Sequence, residues 1–193
     1  MIKEKEKTGA PLLGAFARSG DFLKEMNSIK TIAQALFVVV VFASSFAADT
    51  WQVRYDGVGP VKIGMTLTQL TALFHQKLAE QDSGVDNCYY VTVPGHDHIG
   101  FMILDGRVAR LDVNRPGVMT TTGIQVGDSE AHARKIYGEK LKITEHTYID
   151  TGHYLTVRSA DGRYGVRFET DSGKITGYYA GKYEAIQYVE GCE

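Results

Sequence analysis

Two histidines that flank an aspartate, His96, Asp97 and His98, are the residues of this chain with the clearest chemical potential. On a strand, imidazoles at positions i and i+2 point to the same face and can bind one metal ion, and the carboxylate between them can orient a ring. A third ligand would be His153 or His146. A polar turn explains the same run, because a Pro-Gly pair precedes it. We predict the turn, and we keep a metal site formed by His96, His98 and His153 as the alternative hypothesis.

Nucleophilic catalysis has little support in this sequence. It needs a serine or cysteine with a base and an oxyanion hole, yet no G-x-S-x-G motif occurs. Ser129 stands where a helix is predicted to begin, so its hydroxyl is explained as a helix cap. A two-carboxylate site could form if some of four acidic residues converge in the folded chain, although one sequence does not show convergence. These residues are Asp97, Asp112, Asp128 and Glu169. We therefore predict a protein that is not an enzyme and that needs no cofactor.

The tyrosines favour binding instead. All eleven lie beyond residue 47, and neighbouring side chains of a strand point to opposite faces, so one of each adjacent pair should face solvent. Tyrosine is a frequent anchor of protein interfaces, although it also has a high β-propensity. We hypothesise that exposed tyrosines of the second sheet bind a partner protein together with the polar loop at His96 and His98; the candidates are Tyr178, Tyr179 and Tyr183.

Cys88 and Cys192 are the only cysteines of the chain. In an oxidising compartment an even pair is most simply explained as one disulfide bond. It would close a loop of about 100 residues, for which the chain-entropy model gives up to about 4.7 kcal/mol. A redox-active or metal-binding pair would favour a close spacing such as C-x-x-C, which is absent. We predict a structural disulfide.

Residues 26–47 have the layout of a secretory signal peptide. Lys30 provides the positive charge, residues 32–43 the apolar core and residues 45–47 a small-x-small cleavage signal. The apolar core is shorter than the roughly 18 residues that a membrane span needs. We therefore expect cleavage after residue 47, which yields a periplasmic or secreted protein without a membrane span.

The remaining 146 residues suit one compact domain or two packed halves. The leader contains six of the 21 Lys and Arg and four of the 23 Asp and Glu, so the rest has a net charge of −4. A nucleic-acid partner would require a basic face, which this charge argues against. Charged residues 1–25 precede the signal, and we interpret Met26 as the translation start; the alternative that residues 1–25 are translated stays open.

The same pattern occurs twice after the leader. VKIGMTLTQL at residues 61–70 is repeated as IQVGDSEAHA at residues 124–133, about 63 positions later. Further matches follow downstream, between residues 90–93 and 154–157 and between residues 100–108 and 165–175. Internal repeats dictate architecture, so we predict a first repeat at 48–116 and a second at 117–193.

Each repeat should begin with a short helix. Thr66 and Ser129 are good N-cap residues, Gln69 completes a capping box with Thr66, and Gly138 ends the second helix. Strands then follow, with a hairpin turn at Asp105-Gly106: residues 89–93, 100–104, 108–113, 154–158, 165–170 and 174–180, and a leading strand at 51–55. The predicted fold class is α+β, with two tandem repeats that are each a short helix followed by an antiparallel three- to four-stranded meander.

Residues 61–70 resemble the I-x-x-G-M-T-x-x-Q-[VL] opening of the β-lactamase inhibitor protein family. They are equally similar to the small lipoprotein subunit of the outer-membrane β-barrel assembly machinery. The resemblance implies a helix-plus-antiparallel-sheet module, which the inhibitor family has in tandem. The second copy has Asp128-Ser129 in place of Met-Thr, the two cysteines would connect different halves, and the lipidation cysteine of the assembly subunit is missing. Inhibition of a β-lactamase therefore does not follow from the resemblance.

These observations lead to a hypothesis of function. We expect an exported binding protein that acts through protein–protein interaction on another envelope or extracellular protein, as an inhibitor or an envelope-assembly accessory. The alternative is a metal-binding envelope protein that uses His96 and His98.

Overall fold

Strands are the main regular secondary structure of this computed structural model, which describes residues 51–192 except the side chains of residues 82–84. The predicted signal peptide 26–47 and the proposed start at Met26 lie outside the described residues. In chain order the elements are β1 (Val53–Arg54), β2 (Gly57–Val58), β3 (Val61–Lys62), α1 (Leu67–Phe74), β4 (Ala79–Val85), β5 (Cys88–Thr92), β6 (Ile99–Leu104), β7 (Arg107–Val113), α2 (Glu130–Tyr137), β8 (Lys142–Glu145), β9 (His153–Arg158), β10 (Tyr164–Asp171) and β11 (Lys174–Lys182), with 3₁₀ turns at Gly138–Lys140 and Ala185–Gln187.

One antiparallel sheet contains the eight strands β4 to β11, in the spatial order β4-β5-β6-β7-β11-β10-β9-β8. Helix α1 precedes β4–β7 in the chain, and α2 precedes β8–β11. Strands β7 and β11 join the two groups of four, with Val113 opposite Tyr178 and Arg110 opposite Gly181. Strands β1–β3 form a separate small sheet. The predicted α+β class is confirmed. The sequence did not indicate that the two groups of strands form one continuous sheet through the pairing of β7 with β11.

Local side-chain bonds explain where the helices begin and end. The Thr66 hydroxyl accepts a bond from the Gln69 N–H at 3.1 Å, and the Gln69 side chain accepts one from the Thr66 N–H at 2.9 Å, which confirms the predicted capping box. The Ser129 hydroxyl accepts from the His132 N–H at 3.2 Å. Gly138 ends α2 with a φ of 54°, as predicted. Both α-helices have eight residues, and no helix within residues 51–192 is long and apolar enough to cross a membrane.

The turn before each helix is hydrogen-bonded to the last of the four strands that follow that helix in the chain. Gly64 N–H donates to the Val108 carbonyl at 2.7 Å, and Gly127 N–H donates to the Ile175 carbonyl at 2.8 Å. Both glycines have φ near 95°, a conformation that favours a residue without Cβ. Two further backbone bonds occur at equivalent positions before both helices. Before α1, Val108 N–H donates to the Met65 carbonyl and Leu67 N–H donates to the Gly106 carbonyl. Before α2, Ile175 N–H donates to the Asp128 carbonyl and Glu130 N–H donates to the Gly173 carbonyl.

The main core lies between the helices and one face of the sheet. Its fully buried side chains come from both helices and from the central strands, and they include Leu70, Ala133, Phe101, Leu155, Phe168 and Tyr178. The Tyr178 hydroxyl donates to the Val118 carbonyl at 2.9 Å, so this polar group is satisfied within the core. The core is therefore formed by the apolar side chains of the alternating pattern from which the strands were predicted.

The two edge strands, β4 and β8, were not predicted from the sequence. Residues 79–85 read AEQDSGV and residues 142–145 read KITE, so neither has a run of apolar residues. Edge strands of natural sheets are often short or charged, because this discourages pairing with another chain. The predicted leading strand at 51–55 is shorter in the structure, where β1 contains only Val53 and Arg54.

Gly181 on β11 lies opposite Arg110 of β7, where the two groups of strands meet. A Cβ atom at this position would lie 2.7 Å from Arg110 Cα and closer still to the Ala109 carbonyl oxygen. We expect Gly181→Ala to lower the free energy of unfolding by about 1–3 kcal/mol, measured by urea unfolding, because the two strands must move apart. Gly177→Ala on the same strand is the control, since its Cβ would make an ordinary 3.4 Å contact. Equal unfolding midpoints for the two variants would contradict this prediction.

Candidate functional site

The last described residues of the chain, 183–192, cross the face of the sheet that is opposite the helices. We call them the C-terminal strap. Their 3₁₀ turn packs against β7, β10 and β11, and Ala185 and Ile186 within it are buried. Alternation along β7 explains which face is covered: Leu111 belongs to the helix-side core, so its neighbours Arg110 and Asp112 point toward the strap.

The strap is covalently fixed at its end. Cys192 forms a disulfide with Cys88 of β5, with a Cα–Cα distance of 5.4 Å across 104 positions of sequence, so the predicted pairing is confirmed. Both cysteines are buried and pack with Met102, Ala109 and Ala185 in a second, smaller apolar cluster. The strap therefore has its own apolar seat on the sheet.

Arg110 is the central polar residue under the strap, with 3% of its surface exposed. Its Nε and Nη2 atoms donate to the two carboxylate oxygens of Asp112, each at 2.7 Å. Nη1 donates to the carbonyl oxygens of Ala185 and Tyr188 at 3.1 and 2.7 Å. Burial alone would lower the pKa of Arg110, but the Asp112 carboxylate outweighs it and raises the pKa above its ordinary value. The guanidinium thus remains charged and ties the strap to β7.

Two tyrosines complete this network. The Tyr90 hydroxyl accepts from Arg110 Nη2 at 2.7 Å and donates to Asp112 Oδ2 at 3.0 Å. The Arg110 guanidinium lies 4.3 Å above the centre of the Tyr179 ring, and the Tyr179 hydroxyl donates to Glu169 at 2.9 Å. Burial is the main reason that the pKa values of both tyrosines are raised. Both hydroxyls therefore stay protonated and act as fixed hydrogen-bond donors.

Further arginines of β9 and β10 hold the start of the strap. Arg167 donates to the Thr156 hydroxyl at 3.0 Å and to the side-chain oxygen of Gln187. The Arg158 guanidinium lies 4.1 Å above the centre of the Tyr183 ring. The strap is therefore held by arginines on three strands of the sheet.

Two adjoining cavities have volumes of about 270 and 340 Å³, and the first of them opens beside the strap. Both are lined by Tyr90, Asp112 and Asn114, and together we call them the polar groove. At one end the groove reaches Glu169, Tyr179, Glu190 and Gly191 along the strap. At the other end it reaches Gln81, Asp97, His98 and Arg115. Its walls combine carboxylates, amides, aromatic rings and the guanidinium groups of Arg110 and Arg115, a combination that can orient a polar ligand.

The expectation that Tyr178 and Tyr179 include an exposed binding residue is wrong. Tyr178 and Tyr179 are 1% and 5% exposed. Their side chains do alternate between the two faces, but β11 is a central strand and both of its faces are covered, one by the helix-side core and the other by the strap. Tyr179 still forms part of the wall of the polar groove, whereas Tyr183 is half-buried under Arg158.

The histidine run lies in turns between β5 and β6. The His96 N–H donates to the Val93 carbonyl at 2.9 Å, and the His96 ring stacks on Trp51 with a centroid distance of 3.4 Å. Burial against this ring lowers the pKa of His96. His98 is exposed and lines the polar groove instead. The two imidazoles therefore have different surroundings, because the chain turns here and is not an extended strand.

The third candidate ligand, His153, lies at the start of β9 and bonds Glu130 of α2 at 2.8 Å. Within residues 51–192 no group of three or more His, Cys, Asp or Glu side chains could hold a metal ion. The Arg110 network was not predicted from the sequence. A usable signal was present, since Arg110 and Asp112 alternate with the apolar Leu111 and Val113 and so share a face.

Glu130 ties α2 to the sheet at a second polar cluster. Its carboxylate accepts bonds from the Thr170 hydroxyl at 2.5 Å, from His153 Nδ1 at 2.8 Å and from Arg134 at 3.3 Å. Burial raises the pKa of Glu130, but the bonds from Thr170 and His153 outweigh it, so the pKa lies below the ordinary 4.5. The charged carboxylate therefore stabilises the folded state.

The stability of the protein in acid should depend on the ionisation of the Glu130 carboxylate. A carboxylate with a lowered folded-state pKa stabilises the fold above its unfolded-state pKa, and this contribution is lost as the pH falls through the folded-state pKa. We expect the free energy of unfolding to decrease more steeply below about pH 4.5 for the wild type than for Glu130→Gln. Urea unfolding at a series of pH values measures both slopes. Glu139→Gln, which alters an exposed carboxylate, should keep the wild-type slope; the same slope for all three proteins would refute the assignment.

Comparison with known proteins gives few matches. No family model matches this chain, and no curated protein matches it. An extracellular protein containing an SCP domain from Bacillus anthracis str. Ames matches 65% of this chain at 11% identity, with a TM-score of 0.44. The C-terminal domain of YpeB from Bacillus megaterium matches 58% of this chain at 15% identity, with a TM-score of 0.22. The matches cover 45% and 59% of those two chains, so this chain spans less than two thirds of either.

Proposed function

We propose that this chain is an exported protein that binds another envelope or extracellular protein through its polar groove, as an inhibitor or an assembly accessory. The predicted signal peptide and the disulfide between Cys88 and Cys192 support an oxidising compartment. The proposal is one of binding and assigns no catalytic step to the groove.

The observation that carries the proposal is the rigidity of the groove. Tyr90 and Asp112, which line both cavities, are held by Arg110, and Arg110 is held by the strap. Binding costs less free energy when the contacting side chains are already ordered, because fewer rotamers are lost. Exposed His98, Asn114 and Arg115 are placed beside this rigid wall, where a partner can reach them.

We further propose that residues 48–116 and 117–193 are two copies of one helix-plus-meander unit, as in the inhibitor family that the sequence resembles. The matched backbone bonds at Gly64 and Gly127 support this. Each copy also supplies a helix followed by four antiparallel strands. A partner bound at the groove would then contact the face on which both copies contribute strands.

The experiment is a pull-down from envelope extract with the oxidised protein that begins at Ala48. We expect one protein to be retained by the wild type and lost with the double variant His98→Ala/Arg115→Ala, whose side chains are exposed and line the groove. The matched control is His132→Ala/Lys135→Ala on the exposed side of α2. No specifically retained protein, or equal loss with both double variants, would overturn the proposal.

A further inference from the structure

A third cavity, of about 550 Å³, lies at the other side of the strap, next to the disulfide. We call it the tyrosine cleft. Its walls come from the turn after β4, the end of β6, the β8–β9 loop and the strap, and the side chains used below are Val85, Asp86, Leu104, Tyr148, Tyr188 and Glu190. Strands β4 and β8 are the two edges of the sheet, so both ends of the sheet approach this one cleft.

Exposed apolar surface is concentrated in the cleft. Six large hydrophobic side chains are exposed among the described residues, and three of them line it: Tyr148 at 63%, Val85 at 44% and Tyr188 at 44%. Single exposed hydrophobic residues are normal, whereas several that share one concave surface mark an interaction site. The volume also falls within the range of about 300–1,000 Å³ that is typical of binding sites.

The charge of the cleft has one sign. Asp86 and Glu190 are its charged lining residues, and the described lining contains no Lys, Arg or His. The Tyr148 hydroxyl donates to the Glu190 carboxylate, which connects the β8–β9 loop to the strap and orders one wall. A ligand that complements this lining has an apolar group for the tyrosines and a cation for the two carboxylates.

A second copy of this chain fits the cleft poorly. In a two-fold contact the same patch faces itself, so Asp86 and Glu190 would approach the identical carboxylates of the other copy. Like charges placed against each other across an interface are strongly unfavourable. The lining therefore favours a different protein with a basic contact region.

We propose that the tyrosine cleft docks a partner-protein segment in which an aromatic or aliphatic side chain stands directly beside a lysine or arginine. The apolar side chain packs between Tyr148 and Tyr188, and the cation lies at Asp86 and Glu190. This inference rests on the proposed function, since it adds a second contact with an envelope partner, and it names the chemistry that the partner presents there.

The test uses four blocked hexapeptides that differ only in their two central residues, Phe-Lys, Phe-Glu, Ala-Lys and Ala-Glu. Each peptide is titrated to millimolar concentration into the oxidised protein that begins at Ala48, and the methyl NMR signals of Val85 and Leu104 are followed. We expect saturable shifts with Phe-Lys and weaker binding of the other three. Tyr148→Ser should weaken Phe-Lys binding by about tenfold, and Asp86→Asn/Glu190→Gln should abolish the preference over Phe-Glu.

Ile136→Ser is the matched control, because Ile136 is an exposed hydrophobic residue of α2 and its loss should leave peptide binding unchanged. The inference is overturned if no peptide shifts the Val85 and Leu104 signals, or if Phe-Glu binds as well as Phe-Lys. It is also overturned if sedimentation shows a dimer of the wild type that Tyr148→Ser dissociates, since the cleft would then be a contact between copies.

The pull-down separates failure of this inference from failure of the proposed function. An envelope protein that is retained equally by the wild type and by Tyr148→Ser, but lost with His98→Ala/Arg115→Ala, supports the groove and refutes the cleft as a second contact. Peptide binding without any retained envelope protein refutes the proposed function and leaves the specificity of the cleft established.

Discussion

Replacement of Cys88 and Cys192 by alanine is expected to lower the free energy of unfolding by about 2–5 kcal/mol. The disulfide closes a loop that spans 104 positions, and without it the unfolded chain gains the conformational entropy of that loop. The folded state is weakened as well, because the strap then depends only on its noncovalent contacts. Guanidinium unfolding of the oxidised wild type and of the double variant measures the difference.

Reductant provides the internal control for this prediction. It should destabilise the wild type to the level of Cys88→Ala/Cys192→Ala and leave the double variant unchanged, because the chain has no other cysteine. Equal unfolding midpoints for the oxidised wild type and the double variant would show that the bond contributes nothing to stability. The strap would then be held by its noncovalent contacts alone.

Arg110→Met is expected to cost about 3–5 kcal/mol of unfolding free energy, the range for a buried ion pair that loses one partner. The change removes the two bonds that the Asp112 carboxylate accepts from Arg110 and the bonds from Arg110 to the carbonyl oxygens of Ala185 and Tyr188. Within the described residues, the Asp112 carboxylate keeps only the bond from the Tyr90 hydroxyl. Asp112 keeps 28% of its side-chain surface exposed, so water relieves part of the penalty and the lower end of the range is expected. Chemical unfolding measures this loss.

Three further variants make the assignment specific. Arg163→Met removes an arginine that also pairs with an aspartate, Asp161, but on an exposed turn, and it should leave stability unchanged within error. Arg110→Lys should not restore stability, since a lysine does not provide the planar, two-point contact. Arg110→Met/Asp112→Leu should recover part of the loss, because no unpaired charge remains. A loss for Arg163→Met equal to that for Arg110→Met would contradict a special role for the buried pair.

Loss of the disulfide or of Arg110 should also affect binding, because the polar groove and the tyrosine cleft share the strap as a wall. Gly191 of the strap lines both the polar groove and the tyrosine cleft. It packs closely against Tyr90 of the groove, since a Cβ atom there would lie 2.6 Å from the Tyr90 hydroxyl. Loss of either anchor of the strap should therefore weaken partner binding at both surfaces. Loss of a groove side chain alone should affect only the groove.

Several local features of the fold were predictable from the amino-acid sequence. The capping box at Thr66 and Gln69, the end of α2 at Gly138 and the hairpin at Asp105-Gly106, where φ is 51° and 73°, each depend on residues within four positions of one another. The pairing of Cys88 with Cys192 followed because only two cysteines exist. The predictions for the helix ends and the hairpin succeed because the interactions that decide them are short-range in sequence. The disulfide spans 104 positions and was predictable only because no other pairing was possible.

Which surfaces are covered depends on contacts between parts of the chain that the fold brings together. Alternation correctly separated Tyr178 from Tyr179, but it did not show that the strap covers the second face and buries Tyr179. The polar edge strands β4 and β8, the β7–β11 junction and the contact of Arg110 with Ala185, 75 positions away, have equally weak local signals. The edge strands pair with their neighbours in the chain, β5 and β9, but their polar residues give no apolar signal. The β7–β11 junction and the Arg110 contact depend on pairing between distant segments, and the free energy that stabilises this pairing comes from the surface buried between those segments. A single sequence does not display that burial, and for this reason the groove and the cleft were found only in the fold.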